Sequence, residues 1–334
     1  MRYFVTGATG FLGGELTRQL RAAGHDVVAL VRTSAKADTL RRLRVRLAQG
    51  DVTDRASLRD PMTGVDGVFH CAAWYKVGVD PVDAERINVD GTRHVLETMR
   101  ELGVPKGVYT STLAVFSDTE GRVVDEDYVY EPTGAGGGFL SEYDRTKWRA
   151  HYEVALPMMR EGLPLVIVMP GAIYGRGDTS ALRMLFVNYL KGKLAAVPAR
   201  TAFCWAHVED VARAHILAME SGRIGETYIV AGPAHSMIEA LQIAERITGV
   251  KPPSLHPPPA LMKTASALMG AVGALVSLPP EYTAEGLRVL AGVTYLGSNA
   301  KARRELGYAP RSLEEGLRTT LVEEMQQLGM KPPA

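Results

Sequence analysis

Tyr143-Asp144-Arg145-Thr146-Lys147 sets a phenol and an ammonium four positions apart. On a helix that spacing is about one turn, so both side chains share a face. A free tyrosine, with a pKa of about 10, is a poor acid or base at neutral pH. A neighbouring cation favours the phenolate and draws that pKa toward the range where proton transfer is efficient. Thr112, at the end of the hydroxyl-rich run Gly107-Val108-Tyr109-Thr110-Ser111-Thr112, can hold a substrate oxygen opposite the phenol. Alone, Y-x-x-x-K is weak, because Tyr and Lys recur at this spacing on many solvated helix faces. Its force depends on the elements that precede it.

The stretch Arg2–Gly14, RYFVTGATGFLGG, carries Gly7, Gly10 and Gly13 between a short apolar run and a helical pattern in Leu12, Leu16 and Leu20. Strand, glycine turn and helix form the context of a dinucleotide-binding fingerprint. Gly7 permits a sharp turn. Gly10 lets backbone N–H groups approach a pyrophosphate, and Gly13 lets helix and strand pack closely. The expected cradle is the backbone of Gly7, Thr9, Gly10, Phe11, Leu12 and Gly13, whose free N–H groups face the anion. The next strand, Asp26–Val31, ends in Arg32, with Lys36 beyond it, where an NAD-selective fold usually places an acid. Arg32 can fork onto a 2′-phosphate, so the expected cofactor is NADP, with NAD as the alternative. Asp51, closing the strand over Val45–Ala48, can accept a hydrogen bond from adenine. With a nicotinamide beside Tyr143, Lys147 can also bond its ribose hydroxyls. Hydride transfer then needs only proximity and a proton partner.

The supporting elements read as alternating strands and helices. Strands are expected at Gly67–Ala73, Gly107–Thr112, Leu165–Met169, Cys204–Val208 and Thr227–Val230. Continuous apolar strands separated by helices predict an α/β fold, a doubly wound parallel sheet of Rossmann type. The expected division is a dinucleotide-binding domain over 1–169, with 203–232 returning to it. A smaller, mostly helical substrate region then takes 170–202 and 233–334. His70, Cys71 and Asn88 are expected to be structural. Asp210 is expected to cap the helix Val211–Ser221. The loop Ser117–Glu131 and the glycine run Gly134–Gly138 suggest a lid at a cleft mouth.

Bulk properties exclude several classes. Among 334 residues, 38 basic and 37 acidic side chains nearly cancel, giving a net charge of +1, which argues against nucleic-acid binding. The two cysteines, Cys71 and Cys204, form neither a disulfide framework nor a zinc pattern, so no metal is expected and a reducing cytoplasm is. The first strand begins at residue 2, leaving no expected room for a signal peptide. The apolar stretch Ala260–Leu278 is broken by Lys263 and two glycines. It reads as a buried or cleft-covering helix rather than an integral membrane span.

Together the segments TGATGFLG (6–13), GDVTD (50–54), HCAA (70–73), NVDGT (88–92), TSTLAVF (110–116), YDRTK (143–147), PGAIYGRGD (170–178) and HVEDVARAH (207–215) resemble the extended short-chain dehydrogenase/reductases of the NAD(P)-dependent epimerase/dehydratase superfamily. The resemblance implies Thr112, Tyr143 and Lys147 as the catalytic trio, Thr112 standing where Ser is frequent and Ser111 being the adjacent alternative. It implies Asp51 and Val52 at adenine. Ala72 and Ala73 would lie along the cofactor, with Pro170, Ala172 and Ile173 near nicotinamide. The strand end V-R and the tail LGSNAKARRELGYAPRSLEEGL (296–317) are similar to dihydroflavonol-reductase-like and hydroxysteroid-dehydrogenase-like members. Phe116-Ser117 replaces the Tyr-Gly of many sugar-nucleotide enzymes, and Met169 replaces a common Arg. The expectation is an NADP(H)-linked reductase of a small carbonyl or alcohol substrate, commonly a homodimer in this family. The alternatives are a sugar-nucleotide epimerase or dehydratase with retained cofactor, and a non-catalytic nucleotide sensor.

Overall fold

A computed structural model of the chain describes residues 1–33, 37–75, 80–132, 138–261 and 292–332. Strands β1 (Arg2–Thr6), β2 (Asp26–Val31), β3 (Arg46–Gln49), β4 (Gly67–His70), β5 (Gly107–Thr110) and β6 (Leu165–Pro170) follow in turn. After them come β7 (Ala172–Tyr174), β8 (Ala202–His207), β9 (Thr227–Val230), β10 (Ala234–Ser236) and β11 (Thr294–Tyr295). Seven of these form one sheet in the order β3-β2-β1-β4-β5-β6-β9. Every pairing in it is parallel. The fold is a Rossmann-like α/β sheet with flanking helices.

Alternation along each strand builds two cores. On one face Phe4, Val28, Tyr109 and Ile167 pack with Val95, Met99 and Val154 from the helices Gly91–Glu101 and Ala150–Arg160. On the other, Tyr3, Val5, Val27, Val108 and Val166 pack with Leu16 and Leu20 of the helix Phe11–Ala22 and with Val211 and Ile216 of the helix Val208–Glu220. Period-two side chains with both faces covered explain why these strands read as continuous apolar runs.

The sheet's order reverses between β1 and β4, and sheets of this kind bind ligands in the crevice outside the strands' carboxyl ends at such a point. Both strands that approach it stop earlier than expected. β4 ends at His70 and β5 at Thr110, so Cys71–Ala73 and Ser111–Thr112 run past the sheet.

Two helices beside the crevice each contain a π-helical turn, Arg86–Asp90 in one and Ala150–Ala155 in the other. Pro157, just after the second, has no N–H to continue the ladder, which accounts for the widened turn before it. The pair is clasped where Asn88 Nδ2 donates to Thr146 Oγ1 at 2.9 Å and Glu85 meets Arg145 and Arg149. Asn88 also bonds both backbone groups of Trp74, the structural role expected of it.

A second, smaller sheet is centred on β8, which pairs antiparallel with β10 and parallel with β11 and β7. Gly171 lets the chain turn from β6 into β7, since a Cβ there would sit 2.0 Å from the carbonyl oxygen of Cys204.

Two local expectations are corrected. Asp210 does not cap its helix. His207 takes the N-cap, and Asp210, in the first turn, is bound by the backbone and guanidinium of Arg311. The loop after β5, expected to be a lid at a cleft mouth, is tied down over Asp118–Glu126. Asp118 accepts from Thr294 N and Oγ1, and Glu126 accepts from Ile229 N. Ser117 leads into it at φ 53°, a backbone region that favours glycine. Gly134–Gly137 lie outside the described residues, as does the apolar stretch beyond Leu261 as far as Ala291.

Candidate active site

The glycine turn is built by close backbone contact. A Cβ on Gly7 would meet Ala72 N at 2.8 Å, so the turn lies directly against the chain leaving β4. A Cβ on Gly13 would sit 2.2 Å from Gly7 O, which fixes helix to strand. Gly10, exposed with Thr9, is the N-cap of Phe11–Ala22. No side chain caps this helix, and its first turn holds no acidic residue. The unpaired N–H groups and the positive helix end therefore fit an anionic ligand at the crevice.

Around this turn the proposed adenine end is mixed. Arg32 is exposed at the end of β2 and makes no ion pair among the described residues. Lys36 lies outside the described residues. Asp51 Oδ1 accepts from Thr53 N and Oγ1, so one carboxylate oxygen is committed to its own turn. Val52 buries its side chain in the core, and its carbonyl holds His94. Ala72 and Ala73 are half-buried past β4, and Ala72 N donates to Thr6 Oγ1 at 3.2 Å. Pro170 is buried at the end of β6, with Ala172 and Ile173 half-buried in β7.

The helix Glu142–Arg149 brings Tyr143 and Lys147 to the crevice. Ser141 caps it by accepting from Asp144 N, and the acidic first turn suits the helix dipole. Tyr143 is half-buried beside Thr112. Burial pushes its phenol up to about 12, Asp144 adds to the rise, and the Thr112 hydroxyl opposes it. The sequence led us to expect a lowered phenol. The difference arises from burial of the phenol. The Lys147 Nζ donates to Tyr109 OH at 3.0 Å and to Thr110 O at 2.8 Å. Lys147 is 2% exposed, and burial brings its amine down to about 7.

Thr112 and Ser111 have separate surroundings. Ser111 is buried and bonded to His151 Nδ1 at 2.8 Å, away from the phenol. Thr112 Oγ1 accepts from Ala114 N at the start of a short 3-10 turn, which leaves its proton free to be donated.

Further polar groups that the sequence did not mark as site residues surround the pair. Tyr109, fully buried, accepts from Lys147 Nζ through its hydroxyl. Tyr295 OH donates to Asp144 Oδ2 at 2.9 Å, tying this helix to β11. Tyr109 belongs to the expected β5 run, but nothing in the sequence pairs it with Lys147. His70, expected to be structural, lies between Thr6 Oγ1 (2.7 Å) and Thr92 Oγ1 (3.0 Å) and is kept neutral, its pKa held down to about 3 by burial. Because Thr92 Oγ1 donates to Asn88 O, it accepts from His70 Nε2, which assigns the tautomer. Cys71 is held as a thiol, pushed up to about 11 by burial.

A seven-stranded parallel sheet, an uncapped glycine turn and a Tyr–Lys helix at the switch point define a dinucleotide-dependent enzyme class. The chain belongs to the NAD dependent epimerase/dehydratase family, whose model matches residues 3–231. It is 33% identical to sterol demethylase protein B of Methylococcus capsulatus, covering 93% of this chain and 94% of that protein. It is 31% identical to a protein of Synechocystis named as a putative dihydroflavonol 4-reductase, covering 94% and 92% respectively. Among solved structures, gox2253 matches with a TM-score of 0.84 and 31% identity over 98% of this chain and 99% of that one. The dTDP-glucose 4,6-dehydratase DesIV of Streptomyces venezuelae, solved with NAD bound, shares the fold with a TM-score of 0.77 at 24% identity over 98% of each chain.

Proposed function

We propose that this protein is a reductase that moves hydride between NADP(H) and a carbonyl or secondary-alcohol carbon. Thr112, Tyr143 and Lys147 do the proton work. The observation that carries the reading is the Thr112 hydroxyl beside the Tyr143 phenol, with Lys147 one turn away on the same helix. The bound nicotinamide supplies or accepts the hydride at its C4. Tyr143 gives its proton to the substrate oxygen in reduction and takes it back in oxidation. The phenolate left behind is the costly species in this buried site, and the Lys147 ammonium offsets its charge. Thr112 Oγ1 accepts from Ala114 N, so its own proton is available for the same oxygen.

Gly7, Thr9, Gly10, Phe11, Leu12 and Gly13 would hold the pyrophosphate, and Arg32 with Lys36 the 2′-phosphate. Asp51 and Val52 would flank adenine, while Ala72, Ala73, Pro170, Ala172 and Ile173 would line the nicotinamide half. Residues 1–169 with 203–232 are read as the cofactor domain, and the rest as the substrate region. Relatives named for a sterol, a dihydroflavonol and a farnesylated quinoline favour an apolar or aromatic ring substrate. A cytoplasmic homodimer is the accompanying reading. No helix among the described residues is long and apolar enough to cross a membrane.

The test is Tyr143→Phe with a carbonyl panel followed by nicotinamide absorbance. Turnover should fall at least a thousandfold, about 4 kcal/mol of barrier, while cofactor binding stays within a few-fold. Retained turnover would remove Tyr143 from the mechanism. Isomerised product with no net cofactor consumption by the wild type would favour the epimerase reading.

A further inference from the structure

The Lys147 ammonium is buried, and no carboxylate pairs with it among the described residues. An isolated ammonium in such a place is costly unless other groups replace water. Two groups do so here: the Thr110 carbonyl at 2.8 Å and the Tyr109 hydroxyl at 3.0 Å. Tyr109 is itself fixed. It lies on β5 in the sheet, fully buried, and His70 stacks on it with centroids 5.6 Å apart and planes 22° apart. His70 is in turn held by Thr6 at the end of β1 and by Thr92. The arrangement runs unbroken from the glycine turn to the lysine.

We propose that Tyr109 is a positioning residue for Lys147. Its hydroxyl keeps the amine charged and seated one turn from the Tyr143 phenol. This rests on the reductase reading, in which Lys147 must be an ammonium. The titratable groups facing Lys147 are Tyr109 from β5, His70 and Cys71 from the end of β4, His151 from the π turn, and Tyr143 from its own helix. His70 and His151 are neutral by burial, and Cys71 is a thiol. Among these neighbours Tyr109 alone accepts a hydrogen bond from the ammonium.

The experiment is a titration of ε-13C-lysine by NMR in the intact enzyme without substrate, the Lys147 signal being assigned by its loss in Lys147→Arg. In Tyr109→Phe, which keeps the ring and removes the hydroxyl, the Lys147 pKa should fall by about one unit, because a hydrogen bond to the charged form is lost. The alkaline limb of the turnover profile should move down with it, lowering turnover about tenfold above that limb. An unshifted Lys147 pKa in Tyr109→Phe would overturn the proposal. So would a Tyr109 13Cζ signal in the wild type that stays put as Lys147 titrates, a reading that requires no variant to fold. The NMR readout needs no substrate, so a protein that proves not to be a reductase leaves the test intact. Loss of the turnover effect alone, with the NMR shift present, would count against the reductase reading rather than against Tyr109.

Discussion

Tyr295 OH donates to Asp144 Oδ2 at 2.9 Å across 151 positions of sequence, joining β11 to the first turn of the Tyr143 helix. Asp144 is 2% exposed, and Ser141 Oγ donates to its other oxygen at 2.8 Å. Tyr295→Phe removes a donor from a buried carboxylate. It should cost about 2 kcal/mol in denaturant unfolding and lower turnover several-fold by loosening the helix that carries Tyr143. Unchanged unfolding in Tyr295→Phe would show that the contact is incidental.

Arg32 sits exposed where β2 leaves the sheet, free of ion pairs among the described residues. Arg32→Asp replaces a phosphate fork with a charge that repels phosphate and can accept from ribose hydroxyls. Preference in cofactor titrations should move toward NAD by a hundredfold or so, about 3 kcal/mol. An unchanged preference would take Arg32 out of the cofactor site.

The glycines of the turn should separate folding from ligand binding. Gly13→Ala forces a Cβ to 2.2 Å from backbone, and the neighbour cannot rotate away. It should destabilise the fold by about 3 kcal/mol. Gly10 has φ −87°, and its Cβ would meet nothing nearer than 3.1 Å. Gly10→Ala should therefore melt within about 1 kcal/mol of wild type. It should still lose cofactor affinity at least tenfold, because the methyl occupies the anion's approach. Equal melting losses in both variants would refute this division.

Three buried histidines set the acid limit of stability. Burial holds His70 and His151 down to about 3 and His215 down to about 4, whereas each is near 6.5 when unfolded. The folded forms stay neutral, so the unfolded chain binds more protons as pH falls below about 6.5. Their contribution is complete above that value and is lost on the way down to the folded pKa values. Near pH 5 unfolding should take up about three protons, a slope of about 4 kcal/mol per pH unit. Unfolding free energies that stay flat from pH 6.5 to 5 would contradict the burial of these rings. Lys147 acts at the other end. Its amine is lowered to about 7, so the cost of burying it charged is present below pH 7 and is relieved as pH rises toward its unfolded value.

The sheet was legible in the sequence because its strands are buried on both faces. Asp26–Val31 and Thr227–Val230 are found where the apolar runs place them. The glycine turn was legible because Gly7 and Gly13 meet backbone that a Cβ would strike. The Tyr143–Lys147 pair was legible because helix periodicity alone puts both on one face. Periodicity could not say where the ammonium points. That depended on Tyr109, 38 positions away, and the protonation of the phenol depended on its burial. Nor could it reveal that Asp210 is clasped by Arg311 rather than capping its helix, or that Tyr295 holds Asp144. Local spacing fixes which face a side chain occupies. Its hydrogen-bond partner and its protonation are set by chain segments brought together in three dimensions, because desolvation and pairing depend on what surrounds a group in space.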